Sequence, residues 1–478
     1  MSVLWTRDQA VAATHGRSDR NWQATGVSID TRSLQPGDLF VALKDVRDGH
    51  DFVAAALQAG AAAALVSRRP EDVPADAPLL LVDDVLDALR GLAKAARARS
   101  RAKVIAVTGS AGKTSTKDML RQVLAGQGVT HAAHLSFNNH WGVPLTLARL
   151  PVEAEFAIVE IGMNHSGEIS PLSQLARPDA AIITTVAEAH MAAFRSIEDI
   201  ARAKAEIFDG LEPGSVAIVN RDIATYPILE AAAAARQVTL VGFGSDPAAD
   251  WRISEIALTG DVTTVQAVYR REKRIFKVGA AGRHHAMNGL AVLAAADILG
   301  ADPAIAAADL GRWHPPAGRG ARHRITLDRS DETLSVELID DAYNANPASM
   351  AAAFEVLAAS TPQNGLGRVG PGRRIAFLSD MLELGDAAPA RHAEIAELAA
   401  LDAVDRVHLA GPLMAHLHRA LPADKQGEWF DTAEALAQRA ARLIDAGDVV
   451  MVKGSKGSKA SLVVDAIKKL GQAVPEQD

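Results

Sequence analysis

Residues 104–115 read Val-Ile-Ala-Val-Thr-Gly-Ser-Ala-Gly-Lys-Thr-Ser, an apolar run that breaks into glycines and then into a helical pattern. A buried strand that turns at once into a helix commits the chain to an α/β sheet. The apolar run needs cover on both faces, and glycine frees the backbone at the turn. The same geometry aims backbone N–H groups and a helix N-terminus at one point, which suits a phosphate. Gly109, Ser110, Ala111, Gly112, Lys113, Thr114 and Ser115 are therefore expected to hold the phosphates of ATP, with Lys113 reaching the β- and γ-phosphates and the Thr114 hydroxyl joining a Mg²⁺ shell. The motif is a variant, because Val107 stands where the usual Walker pattern has glycine. A loop that merely turns strand into helix is the alternative.

Further apolar runs at 156–161, 180–186 and 216–220, separated by helical patterns, extend a mostly parallel sheet. With 478 residues the chain is long enough for two to four domains. Apolar periodicity stops in the basic stretch 97–103, and the Pro/Gly-rich 313–320 marks a second break. Three domains are expected, at 1–101, 102–314 and 315–478. The first holds strands near 38–43, 62–66 and 79–82 and helices from 51 and 84. The last renews the alternation, with strands near 334–339, 374–378, 406–410 and 449–453. Residues 251–278 read as a peripheral antiparallel meander and 361–372 as a mobile surface loop.

The absence of Cys excludes disulfides, thiolate metal sites and thiol nucleophiles, so any metal must sit on oxygen or nitrogen. Lys plus Arg is 50 against 58 Asp plus Glu, with no long basic block, which argues against nucleic acid as a partner. The N-terminal stretch lacks the apolar core of a signal peptide, and the most apolar run, 52–66, falls short of the ~20 residues that cross a bilayer. A cytoplasmic chain without membrane insertion is expected.

Glu160 closes an apolar strand at the sheet edge where α/β folds bind ligands, and a hard carboxylate there suits Mg²⁺; a solvated strand-end carboxylate is the equal alternative. His190 follows the next strand, although a lone His is more often structural. Lys204, read from its helical pattern alone, is a surface lysine with its stem packed down. The polar cluster at 340–347 offers either ligand groups or plain turn and capping chemistry. Lys453 and Ser455 begin either an anion site or a solvated basic loop.

Three longer motifs carry a resemblance: Ser136-Phe-Asn138-Asn139-His-Trp-Gly142, Asp341-Ala-Tyr343-Asn344-Ala-Asn346-Pro347 and Asp380-Met-Leu-Glu383-Leu-Gly385. With the P-loop and Ser28-Ile-Asp30-Thr31-Arg32 they occur in the order seen in the Mur ligases, ATP-dependent amide-forming enzymes of peptidoglycan synthesis, which the chain resembles over nearly its whole length. The resemblance implies a central P-loop domain flanked by an N-terminal UDP-substrate domain and a C-terminal Rossmann-like domain. It implies two Mg²⁺ ions, one on Thr114 and Glu160 and one on His190 and Lys204, with Lys204 carrying a CO2-derived carbamate. Asn288 would contact adenine, and Asp341 and Asn344 would reach the nucleotide. Arg319 would touch phosphate or ribose, with Arg324 as its rival. Asp30, Thr31 and Arg32 would hold the uridine nucleotide, and Asn138, Asn139, Lys453 and Ser455 the other substrate parts. The implied reaction joins D-alanyl-D-alanine to UDP-N-acetylmuramoyl-tripeptide on a monomeric protein. The rival within the family adds a single amino acid, diaminopimelate or lysine. Departures from the family pattern are His285 for a common Asn, Ser379 for a usual Gly, and Lys456 for an Arg.

Overall fold

The computed structural model describes residues 2–473 apart from 190, 260, 329 and 369. Its central sheet has nine strands, in the order Glu272–Val278, Val262–Tyr269, Trp251–Thr259, Thr239–Gly244, Val216–Asn220, Ala180–Ile183, Lys103–Thr108, Phe156–Glu160 and Thr130–Ala132. From Trp251–Thr259 to Thr130–Ala132 all neighbours pair in parallel. Parallel pairing puts the carboxyl ends of the strands, and with them Thr108, Glu160 and Asn220, on one edge.

The meander at 251–278 is antiparallel, as its alternation predicts, but it is not peripheral to the packing. Val265, Phe276 and Val278 are buried under helix Arg283–Ile298, in the core that also holds Leu120 and Val123 of the P-loop helix Lys113–Ala125. The meander is therefore part of the support under Asn288.

A four-stranded parallel sheet, Gly26–Ser28, Asp38–Val41, Ala63–Val66 and Leu79–Leu81, forms the N-terminal segment. Helix Val85–Arg99 begins at Asp84, whose side chain accepts the Asp87 N–H at 2.8 Å. It buries Leu89, Leu92 and Ala96 in a core shared with Val143, Leu145 and Val159 of the central segment. The basic last turn of this helix docks rather than links. Arg97 donates to the carbonyls of Ala176 and Arg177, both at 2.8 Å, and the Arg99 guanidinium lies 4.0 Å from the Trp5 ring centroid.

The C-terminal sheet has seven strands, in the order Gln426–Phe430, Arg406–Ala410, Arg374–Ser379, Val449–Lys453, Asp331–Asp341, Ala321–Asp328 and Gln472–Ala473. The first five are parallel and carry a core on each face. Ala321–Asp328 is the antiparallel hairpin partner of Asp331–Asp341, and Gln472–Ala473 closes the edge beyond it. In the segment 361–372, read as a mobile loop, the Gln363 N–H donates to the Gly447 carbonyl at 2.9 Å.

Because the first two segments share one core, Leu92→Ala should lower the stability of both together by about 2–5 kcal/mol. Urea unfolding followed by a probe in each segment should show one shifted transition; a shift confined to the N-terminal segment would contradict the shared core.

Candidate active site

The P-loop is closed by its own backbone demands. Gly112 has φ +82°, and a Cβ there would meet the Asn288 side-chain amide at 2.9 Å; at Gly109 it would collide with the Thr184 hydroxyl. Ser110 ties the loop to the next strand end, with its N–H on the Thr185 carbonyl and its hydroxyl on the Ala187 carbonyl, both at 2.9 Å. Thr184 donates to the Ala111 carbonyl at 2.6 Å. Lys113 folds back and donates to the Gly109 carbonyl at 2.6 Å. Burial lowers its pKa, against the attraction of Glu160.

Beside the loop, donors converge on one oxygen. Glu160 Oε1 accepts from Ser136 Oγ at 2.6 Å, Asn138 Nδ2 at 2.7 Å and Thr114 Oγ1 at 3.1 Å. Glu160 is 3% exposed, and its Oε2 is buried without a partner. A buried carboxylate oxygen left open beside a threonine hydroxyl and a phosphate cradle fits Mg²⁺, which takes one or two carboxylates and completes its shell with phosphate and water. Among the described residues no cluster of three His, Asp or Glu side chains is suited to a metal, so phosphate oxygens would have to complete the coordination. His190, the expected ligand of a second ion, lies outside the described residues.

Lys204 departs from its single-residue reading. On helix Ile197–Ala205 it is 3% exposed rather than on the surface, and burial followed by the charge of Lys113 pushes its ammonium well below the usual range.

A cavity of about 1130 Å³ joins the P-loop and Glu160 to the C-terminal segment; Lys204 is not among the residues that line it. Asn138, Asn139, Asn288, Arg319, Asp341, Asn344 and Lys453 all line it. Neighbouring strand ends pair Asp341 with Lys453, Nζ to Oδ2 at 2.7 Å, so Lys453 is a buried partner and not part of a solvated loop. Burial raises the Asp341 pKa while Lys453 opposes the shift. The guanidinium of Arg319 lies 4.1 Å from the Tyr343 ring centroid. Its rival Arg324 is turned into the hairpin, on Ser335 Oγ at 3.0 Å and the Glu332 carbonyl at 3.1 Å. Ser455 stands apart from the cavity lining; it is buried, accepts the Leu382 N–H at 2.9 Å and supports the 380–385 loop. Asn346 caps helix Pro347–Ala359, which is the capping alternative for that position.

A second cavity, about 690 Å³, lies in the N-terminal segment and is lined by Asp30, Thr31 and Arg32 together with Lys44, Arg47 and Arg68. His140 lines both cavities. Sequence reasoning placed no role on Ser136 by itself or on His284; the one hint was their position inside motifs. His285 is buried and His284 half-buried, each with Nδ1 unpaired and their ring centroids 3.9 Å apart, and desolvation lowers the His284 pKa to about 4 and that of His285 well below its usual value.

Comparison with known proteins gives three matches along the chain: the Mur ligase family, catalytic domain at 23–97, the Mur ligase middle domain at 107–296, and the Mur ligase, glutamate ligase domain at 323–456. The UDP-N-acetylmuramoyl-tripeptide--D-alanyl-D-alanine ligase of Bacillus subtilis is 36% identical over 92% of this chain and 92% of its own. The Escherichia coli protein of the same name is 36% identical over 93% and 94%. A crystal structure of MurF from Acinetobacter baumannii superposes with TM-score 0.81 at 29% identity over 97% of this chain and 99% of that one. MurF from Thermotoga maritima, solved in complex with ADP, does so with TM-score 0.74 at 25% identity over 93% and 97%.

The desolvated imidazoles make stability acid-sensitive. Unfolded imidazoles take up protons near pH 6.5, whereas folded His284 resists until about 4, so its contribution is complete above pH 6.5 and is lost as the pH falls toward 4. Unfolding free energy measured in urea should drop over that window by up to about 1.4 kcal/mol per pH unit for this residue. His284→Gln should flatten the slope by that amount; an unchanged slope would show that His284 already charges in the fold.

Proposed function

The chain belongs to the Mur ligase family, and on that premise we propose that it uses ATP to join D-alanyl-D-alanine to UDP-N-acetylmuramoyl-tripeptide, giving the UDP-muramoyl-pentapeptide precursor of peptidoglycan. The names of the relatives at 36% identity over more than nine-tenths of both chains favour this over addition of a single amino acid. The observation that carries the chemistry is Glu160 Oε2, buried and unpaired, beside Thr114 and the P-loop.

A carboxylate and an amine do not condense in water without activation. The terminal carboxylate oxygen of the tripeptide attacks the γ-phosphorus, the bond to the bridging oxygen breaks, and ADP leaves. The dipeptide amine then attacks the acyl carbon of the acyl phosphate and loses a proton, and phosphate departs. The obstacle to the first step is repulsion between anions, and Lys113, free to exchange its Gly109 carbonyl for phosphate oxygens, offsets it. Magnesium held by Thr114 and Glu160 would supply charge neutralisation at the β- and γ-phosphates, and a second ion falls to His190 and Lys204.

Lys204 is read as carbamylated. Its burial favours the neutral amine, the form that adds CO2, and the nearby Lys113 charge that disfavours an ammonium favours an anion in its place. Asn288, Arg319, Asp341 and Asn344 take the nucleoside part of ATP, while Asp30, Thr31 and Arg32 take the uridine end of the other substrate. Asn138, Asn139 and Lys453 line the span between them, and closure of the cavity excludes water that would hydrolyse the acyl phosphate. The protein is assigned to the cytoplasm, where ATP is supplied.

Phosphate release on mixing ATP, UDP-N-acetylmuramoyl-tripeptide and D-alanyl-D-alanine tests the reading. Lys113→Ala should lower it by about 10²–10³-fold with the thermal midpoint retained; an active variant would refute the P-loop assignment. Lys204→Ala should be weak and regain activity with added short-chain carboxylic acids. Full activity without them would leave Lys204 a packing residue.

A further inference from the structure

Lys117 lies one turn beyond Thr114 on the P-loop helix, and nothing in the reaction described above uses it. Lysine is seldom fully buried unless paired, yet this side chain is 1% exposed and has no ion pair among the described residues. Its Nζ donates instead to two backbone oxygens, the carbonyl of Ala133 at 2.7 Å and that of Leu135 at 3.2 Å. Those carbonyls belong to the stretch that leaves the edge strand Thr130–Ala132 and runs into Ser136. Sheet pairing ends at Ala132, and Leu135 is 63% exposed, so apolar packing does not hold the stretch either. The next residues carry the donors that decide the state of Glu160: Ser136 at 2.6 Å and Asn138 at 2.7 Å, both on Oε1.

We propose that Lys117 is a positioning residue of the metal–phosphate site: it clamps the 133–135 backbone so that Ser136 and Asn138 saturate one oxygen of Glu160 and leave the other open for the cation. The proposal rests on the reading of Glu160 as a magnesium ligand. Beyond the clamped backbone the loop has its own hold, the Asn138 carbonyl accepting the Gly162 N–H at 2.8 Å, so the Lys117 clamp sets the approach of Ser136 from the edge strand and with it the share of donors on each Glu160 oxygen. An ammonium fits the task because it offers three donors on a long stem and reaches two carbonyls at once. It also explains why a cation is retained in the interior face of this helix, one turn from the residue that meets the metal.

The test is binding of a non-hydrolysable ATP analogue, measured by calorimetry with saturating Mg²⁺ and again in EDTA. The wild type should bind more tightly with Mg²⁺. Lys117→Met, which keeps the length of the stem, should match the wild type within about twofold in EDTA and lose at least tenfold of the gain that Mg²⁺ brings. Retention of the whole gain, or an equal loss with and without Mg²⁺, would overturn the proposal. In an Asn138→Ala background Lys117→Met should add less than about twofold, because both act through the same oxygen; a full independent loss would also overturn it. Lys117→Gln, with a donor on a shorter stem, carries the same expectations should the methionine variant not fold. A wild type indifferent to Mg²⁺ would instead refute the reading of Glu160, so the two failures are distinguishable.

Discussion

Convergence of three donors on a single oxygen of Glu160 is the interaction on which the rest of the site depends. A buried carboxylate is costly unless hydrogen-bonded, and here the donors stabilise the charge while occupying one side only. The other oxygen is left without a protein partner, in a residue that lines the same cavity as the P-loop. The parallel sheet makes this meeting obligatory, because Thr108 and Glu160 end neighbouring strands that run in the same direction.

The surrounding cations are graded by burial. Desolvation lowers the pKa of both Lys113 and Lys204, with Lys204 the more buried of the two. Lys453 already has its anion in Asp341 from the neighbouring strand. Lys113 lines the cavity without a carboxylate partner of its own, whereas the Lys453–Asp341 pair is a preformed wall of it. The helix that carries Lys113 also carries Asp118, which accepts the Trp313 indole N–H at 3.0 Å, so the start of the 313–320 junction is fixed to the phosphate-binding element itself. Docking of the N-terminal segment through a shared core, with His140 on both cavities, gives the other end of a long substrate a fixed distance from that element.

Local chemistry made much of this legible in advance. The strand–glycine–helix order at 104–115, the strand-end position of Glu160 and the alternating apolar runs of both large sheets follow from rules that act over a few residues. What escaped were elements whose signal is short or diluted: the three-residue edge strand Thr130–Ala132, the strand Thr239–Gly244 with two glycines, and the polar hairpin strand Ala321–Asp328. Edge strands bury one face or none, so they carry little apolar pattern to read.

The sequence by itself determined the α/β class, the strand–glycine–helix turn at 104–115 and the family, because these are written in backbone freedom, apolar periodicity and motif order along the chain. Tertiary structure alone decided that Lys204 and Lys117 are buried, that Arg319 and not Arg324 faces the cavity, and that Ser455 supports a loop instead of lining it. Each of those outcomes turns on which distant segment covers a side chain, such as Asp341 meeting Lys453 or Asn288 meeting Gly112. Burial and charge pairing between segments far apart in the chain have no local signature, since the desolvation that sets their energy exists only once the sheets have assembled.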